Sequence, residues 1–427
     1  MQSARHVERR FFPLDEELKL LPGSLTPHTH ECLVRLGAWM PFERAAELMG
    51  EMMHVEVSKS RSVRYTEAAG TAHVAMETEE ADRIEKEAPE APIGAEKMVM
   101  SADGAMVPLL HGEWAEVKTL VIGKVAPPVK ERGEWEVHTQ DLSYFSRLVD
   151  AEKFQHLTLV ETQRRGLENS REVAMLGDGS DWVQHLADYH RRDALRILDF
   201  PHAGQRVGAI GQTLWGDNSS EASTWTTEKL HQLKHEGPTQ LLAELLKLQQ
   251  QHPGLEILEG NLAYLQKREA QMQYPVFLQN GWPIASSIAE SANKLVVEAR
   301  LKGSGMHWGR QHVDSMLALR NIICSDRWRQ EWPRITERLR FQDAQRRKQL
   351  WEKHRLAKQP LCLEASVLPP GQPDIDPPIL EPLLPIQPET SSIPPNSSQP
   401  WRPAPNHPWR HSPIGRARYT PSPVAKN

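Results

Sequence analysis

Val173-Ala174-Met175-Leu176-Gly177-Asp178-Gly179 is the stretch that decides the fold. Four apolar residues in unbroken succession, closed by Asp-Gly, are what a strand buried on both faces presents. Helical patterns flank it, 151–166 before and 180–191 after. Leu195–Leu198 is another such run and ends at Asp199-Phe200-Pro201-His202. Upstream, 97–103 alternates, with Met98, Met100 and Ala102 on one side and Val99 and Ser101 on the other, and ends at Asp103-Gly104. Trp114–Val125 reads as a second strand and 138–145 as a weaker third. A meander followed by strands alternating with helices specifies an α/β fold, a mixed sheet with helices on both faces. Residues 203–280 are mostly helical and carry a stripe at Leu241, Leu242, Leu245, Leu246 and Leu248, so they are expected as a helical insertion packed on a core.

The acids of this pattern stand at strand ends. In open α/β sheets ligands bind outside the carboxyl ends of strands, where Asp103, Asp178 and Asp199 are expected. If the first and fourth strands are neighbours, Asp103 and Asp178 come close together. Two such carboxylates cannot both stay ionised cheaply. A divalent cation between them removes the repulsion, and hard oxygen ligands favour magnesium or manganese. Each acid also has an ordinary reading, since Asp-Gly closes turns and Asp199 stands where it would cap a helix.

A second informative stretch is 285–308. It opens a helix, places Glu290 in the first turn, sets Lys294, Arg300 and Lys302 on polar positions, and breaks at Gly303-Ser304-Gly305 before Trp308. An acid, a row of cations and a backbone-rich loop suit metal-assisted chemistry on a nucleic-acid phosphate. Ser287-Ile288-Ala289-Glu290 equally fits a capping box. From residue 294 to 358, Lys and Arg outnumber Asp and Glu by 16 to 7, a segregated positive region that could neutralise phosphates or form a solvated surface.

At the N-terminal end, 26–70 reads as three short helices. Thr26-Pro27 caps the first, Pro41 ends it, and Ser58 caps a third helix carrying Lys59, Arg61, Arg64 and Tyr65, with Gly70 as its stop. This is the layout of a helix-turn-helix region whose last helix enters the major groove, or of a helical hairpin packed on a neighbour. Residues 71–96, with Glu77, Glu79, Glu80, Asp82 and Glu85, read as an acidic linker or a loosely held helix. The resulting division is 1–70, 71–96, a catalytic 97–335, a basic helix over 336–358, and a tail.

The chain has 427 residues, a net charge of −5, and 39% hydrophobic and 25% charged residues, which suits two or three globular domains. It lacks a run long enough to span a membrane and the apolar core of a signal peptide. The 3 cysteines, Cys32, Cys324 and Cys362, are widely spaced, which argues against a disulfide framework or a thiolate zinc site and for a reducing compartment. Residues 359–427 hold 18 of the 33 prolines and cannot bury a core, so disorder is expected there.

Taken together, Ser101-Ala-Asp-Gly-Ala-Met-Val-Pro-Leu109, Leu176-Gly-Asp-Gly-Ser-Asp-Trp182, Ile197-Leu-Asp-Phe-Pro-His-Ala203 and the Glu290 block ending at Trp308 resemble transposases of the Kra family of bacterial insertion sequences. The likeness runs from about residue 25 to about residue 335. It implies a ribonuclease-H-like fold and an Asp-Asp-Glu triad of Asp103, Asp178 and Glu290, holding two magnesium or manganese ions with Asp103 as the bridge. Asp199-x-x-His202 is similar to an element found after the second acid in related transposases, with His202 in support of the site. Lys294, Arg300, Lys302 and Arg310 would hold strand phosphates, and Arg61 and Arg64 would bind the ends. Trp308 would stack on an unpaired base or pack beneath the Gly-Ser-Gly turn. The partners implied are inverted-repeat ends and target DNA, with a homo-oligomer assembling on DNA in the bacterial cytoplasm at the nucleoid. Two other readings share the fold: a DNA-binding protein derived from a transposase but without catalysis, and a nuclease that never joins strands.

Overall fold

A computed structural model describes residues 17–131, 134–285 and 287–357; the proline-rich tail, Cys362 and the side chain of Ser287 lie outside the described residues. Three helices come first: α1 (Pro27–Trp39), α2 (Phe42–Met53) and α3 (Lys59–Glu87). The expected caps form. The Thr29 amide donates to the Thr26 hydroxyl at 3.3 Å, and the Arg61 amide to the Ser58 hydroxyl at 3.3 Å, each satisfying an orphan donor of a first turn.

The third helix differs from the sequence reading. Gly70 does not stop it, and the supposed acidic linker is the second half of a 29-residue helix. Gly70 is needed for another reason: a Cβ there would lie 2.1 Å from the Ser315 carbonyl oxygen, so glycine lets two backbones meet. Nor is Glu77 solvated. It is buried and paired with the equally buried Arg147, and His73 Nε2 lies 3.3 Å from its other oxygen.

The strands follow: β1 (Lys97–Pro108), β2 (Trp114–Val125), a small hairpin of β3 (Val129–Glu131) and β4 (Glu134–Glu136), and β5 (Thr139–Arg147). β1 runs past Asp103-Gly104, where it was expected to end, because β2 continues to pair with it as far as Pro108 opposite Trp114. Then come α4 (Ala151–Leu157), α5 (Leu159–Arg164), β6 (Glu172–Gly177), α6 (Asp181–His190) and β7 (Leu195–Leu198). The single helix expected over 151–166 is broken at Thr158. The main sheet has the order β5-β2-β1-β6-β7, antiparallel through the meander and parallel from β1 to β7.

The insertion comprises α7 (Phe200–Trp215), α8 (Ser220–Glu236), α9 (Pro238–Gln251), α10 (Glu256–Lys267) and α11 (Tyr274–Gln279). After it come α12 (Ser287–Ala292), a π-helical segment (Asn293–Glu298), α13 (Ala299–Leu301), α14 (Arg310–Cys324) and α15 (Trp328–Ala357).

The period-two alternation of β1 distributes the helices. Met98, Met100 and Ala102 face α4 to α6 through Phe154, Leu157, Val183 and Leu186. Val99 faces the insertion, where Leu241, Leu242 and Leu245 form a core with Leu262 and Leu265. Ala105 and Val107, farther along, pack on Val296, Val297, Val313 and Leu317 of the 287–324 helices. The sheet therefore carries helices on both faces. The N-terminal helices do not form a separate domain: Leu33, Val34, Met49 and Ala69 share one core with Leu319, Trp332 and Ile335 of α14 and α15, and all described residues fall in one compact unit. Among the described residues no helix is long and apolar enough to cross a membrane.

The Glu77–Arg147 pair ties α3 to the sheet edge and sets a stability prediction. Burial alone would raise the Glu77 carboxyl, but Arg147 and His73 overcome it and hold the group well below the usual carboxylate range. A depressed carboxylate adds stability above its unfolded value and loses it as pH falls. Glu77→Ala strands a buried guanidinium and should cost about 3–5 kcal/mol in urea denaturation. The difference from the unsubstituted chain should narrow as the pH is lowered through the acid range; a surface-like loss under 1 kcal/mol would show that the pair carries no weight.

Candidate active site

The parallel pairing of β1 and β6 places Ser101 opposite Leu176. Two residues beyond that last pair stand Asp103, still within β1, and Asp178, the first residue after β6. The next pairing places Gly177 opposite Leu198, so Asp199 comes third along the same rim, its amide donating to the Gly177 carbonyl at 2.8 Å. A cleft of about 280 Å³ opens there, lined by Asp103, Asp178, Asp199, His202 and Glu290. The structure thus brings all three expected triad acids, and the Asp199–His202 element, to one concavity.

Each of the first two acids is fixed by its surroundings. Asp103 Oδ1 accepts the Gly104 amide at 2.7 Å, and Oδ2 accepts Asn293 Nδ2 at 3.0 Å. Burial raises its carboxyl above the usual range, and the charge of Asp178 adds to this against the Gly104 amide, His202 and Asn293. Asp178 Oδ1 accepts the Ser180 amide at 2.9 Å, and its backbone carbonyl accepts the Tyr264 hydroxyl. Arg268 donates Nε at 3.1 Å and a terminal nitrogen at 2.6 Å to the Gly179 carbonyl, and lies over the Tyr264 ring at 3.8 Å. Gly179 has φ +74°, and a Cβ there would meet Arg268 Nε at 2.3 Å, so only glycine fits this turn. His202 Nε2 lies 3.8 Å from Asp199 Oδ2.

Glu290 sits differently. Its side chain is exposed and its carboxylate takes Lys294 Nζ at 2.6 Å. The Lys294 hydrogen bond and charge hold the carboxyl below the usual range, with a smaller contribution from His202. Among the described residues no group of three or more His, Cys, Asp or Glu is close enough together to hold a metal ion. Asp103 and Asp178 offer hard anionic oxygens and a repulsion that a divalent ion would relieve. The third acid lines the same cleft but is engaged by a lysine.

The cations divide. Lys294 and Arg310 are exposed, Arg310 lying 3.9 Å from Glu113, and Lys302 pairs with Glu298 at 2.6 Å. Arg300 does not reach a strand. It is 2% exposed, donates Nε to the Gly37 carbonyl at 3.0 Å, and lies against the rings of Phe42 and Trp308. Trp308 is also withdrawn: its indole donates to the Leu301 carbonyl at 3.1 Å, and its backbone forms a bridge with Leu109. Both are corrected to packing residues, Trp308 taking the second of its two expected roles. Arg61 and Arg64 are exposed on the first turns of α3.

Sequence reasoning missed Asn293, Tyr264, Arg268 and Arg320. Asn293 carried a signal, since three residues after Glu290 is one helical turn. Arg320 carried none. It is fully buried and donates to the Leu295 and Val296 carbonyls within the π segment, an irregularity often associated with functional sites.

No protein-family model and no curated protein matches this chain.

The raised Asp103 carboxyl makes its ionisation costly to the fold. Asp103→Asn should therefore raise Tm at pH 7. The gain should vanish below the unfolded carboxylate range, where both states are protonated. A lower Tm at pH 7, with no recovery in acid, would show that Asp103 stabilises the fold.

Proposed function

We propose that this chain is a DNA transposase of the Asp-Asp-Glu type, resembling the Kra family, on a ribonuclease-H-like sheet. The observation that carries the reading is the arrival of Asp103 and Asp178 at one rim, each two residues beyond the last β1–β6 pair, with Glu290 lining the same cleft. Magnesium or manganese would be held by Asp103 and Asp178, and by Glu290 once it leaves Lys294. Bound there, such ions would neutralise the charge developing on a reacting phosphate. The chain's own residues orient the oxygens: Gly104 and Asn293 fix Asp103, while Ser180, Tyr264 and Arg268 fix the Asp178 turn. Lys294, released from Glu290, stands with Arg310 for strand phosphates. The exposed first turns of α3 supply Arg61 and Arg64 for element ends, the part a helix-turn-helix region would play.

A second reading has its own support. The Glu290–Lys294 pair and the lack of a three-acid group among the described residues favour a transposase-derived protein that holds DNA without cutting it.

Cleavage of a supercoiled plasmid carrying the element ends, in magnesium, separates the two. Asp103→Asn, Asp178→Asn and Glu290→Gln should each abolish cleavage and leave end binding within about twofold. Cleavage that survives one change removes that residue from the triad, and a silent unsubstituted chain leaves the binding protein.

Binding has a separate test. Arg61→Ala or Arg64→Ala should weaken binding across all sequences and reduce the salt slope by about one unit for each phosphate the arginine neutralises. An unchanged slope would return α3 to a packing role.

A further inference from the structure

A second pocket lies far along the chain from the acids, where α1, α3 and α15 meet. Its volume is about 270 Å³, and Gly23, His30, Tyr65, Ala68 and Leu339 line it, with Arg64 and Arg346. This is just below the ~300–1,000 Å³ of typical small-molecule sites, a size for one flat guest rather than an extended one.

The pocket is built rather than incidental. His30 is 3% exposed, stacks on Tyr65 with ring centroids 4.7 Å apart, and keeps an Nε2 without a hydrogen-bond partner. A buried polar nitrogen left unpaired costs free energy that a ligand group or water can recover. Trp332 stands 6.2 Å beyond His30 and stacks in turn on Trp328 at 5.1 Å. The wall at Gly23 is pinned by the Ser24 amide, 3.3 Å from the Tyr65 hydroxyl. Gly23 has φ +127°, and a Cβ there would meet that hydroxyl at 2.1 Å.

Cations predominate around the pocket, with one acid among them: Asp343 lies 3.8 Å from Arg346 and 2.5 Å from Arg347. Arg64 lies over the Tyr65 ring at 5.2 Å, and Arg346, Arg347 and Lys348 are exposed on α15. Burial lowers His30 to about 4, so at neutral pH the ring is uncharged and the arginines alone meet an anion. An apolar and aromatic cavity with guanidiniums among its lining groups matches a base attached to a phosphate.

From these features we propose that the pocket takes one unpaired nucleotide of a bound strand, its base against the His30 and Tyr65 side and its phosphate on Arg64 and Arg346. The proposal rests on the strand-binding part of the proposed function and not on the acid cleft, because uptake of a mononucleotide is read without strand cleavage.

The test is saturation-transfer NMR on the full chain with deoxyadenosine 5′-monophosphate, deoxyadenosine and inorganic phosphate. The monophosphate should show transfer to its base protons. Ala68→Trp, at an exposed position lining the pocket, should abolish the transfer; Ala68→Leu serves if the larger side chain prevents folding. Arg346→Ala should weaken the monophosphate at least fivefold and leave deoxyadenosine unchanged. Inorganic phosphate should compete with the monophosphate and not with deoxyadenosine. No transfer to the unsubstituted chain, or equal transfer to a folded Ala68 variant, overturns the proposal. So does an Arg346→Ala effect equal for both nucleoside forms.

Discussion

The parallel pairing of β1 with β6 is the constraint on which the rest of the structure depends. It places Asp103 and Asp178 side by side where β1 outruns its neighbour. Two half-buried carboxylates in that position repel, and the surrounding structure is organised to hold them there. Asp103 receives an amide and a side-chain donor. The Asp178 turn is clamped through its backbone by Tyr264 and Arg268, both from the end of the helical insertion. The insertion thus does more than lengthen the chain between the second acid and Glu290. Its core sets where Tyr264 and Arg268 stand, and they set the turn.

The Glu290 segment shows the same logic with cations. Arg300 and Arg320 are buried, and among the described residues neither pairs with a carboxylate. Burial lowers Arg300 to about 10, with the charge of Arg320 adding to the effect. Unpaired buried charge is expensive unless hydrogen-bonded. Here both guanidiniums find backbone carbonyls, Gly37 for one and the π segment for the other. Arg320 also lies 4.2 Å from the centroid of the Trp39 ring. The helix that carries Glu290 is therefore bound to the end of α1, and the N-terminal helices are a support for the site as well as a surface.

Much of this was legible in the sequence. β2 and β7 match their expected bounds, and the alternation in β1 assigned its two faces correctly, because burial on a sheet imposes a period of two whatever covers it. The sequence leaves open whether the first and fourth strands are neighbours, and the topology makes them so. What failed were inferences from composition alone. Gly70 read as a stop because glycine often ends helices, while its role is to admit the Ser315 backbone, a partner 245 positions away. The acids of 71–96 read as a linker because no local signal shows that Glu77 faces Arg147. Arg300 read as a phosphate ligand because a helical pattern shows polarity, whereas the π segment shifts which residues turn inward.

Asp103 and Glu290 are held in opposite ways. Asp103 is held by donors on both oxygens and has little room to adjust. Glu290 is exposed and held by one lysine four residues on, a contact of the kind that solvent and salt weaken readily. A half-buried pair of acids with a third on an exposed turn divides fixed positioning from adjustment. Asn293 joins the two halves: it donates to Asp103 from the first residue of the π segment, one turn beyond Glu290, and its own Oδ1 is buried without a partner. Rotation of the exposed Glu290 side chain off Lys294 leaves the Asn293–Asp103 bond untouched, whereas a backbone movement that carries Glu290 toward the other acids must hinge before Asn293 or disturb that bond. The irregular helix begins at that residue, so backbone adjustment there would move the third acid while leaving the first two in register.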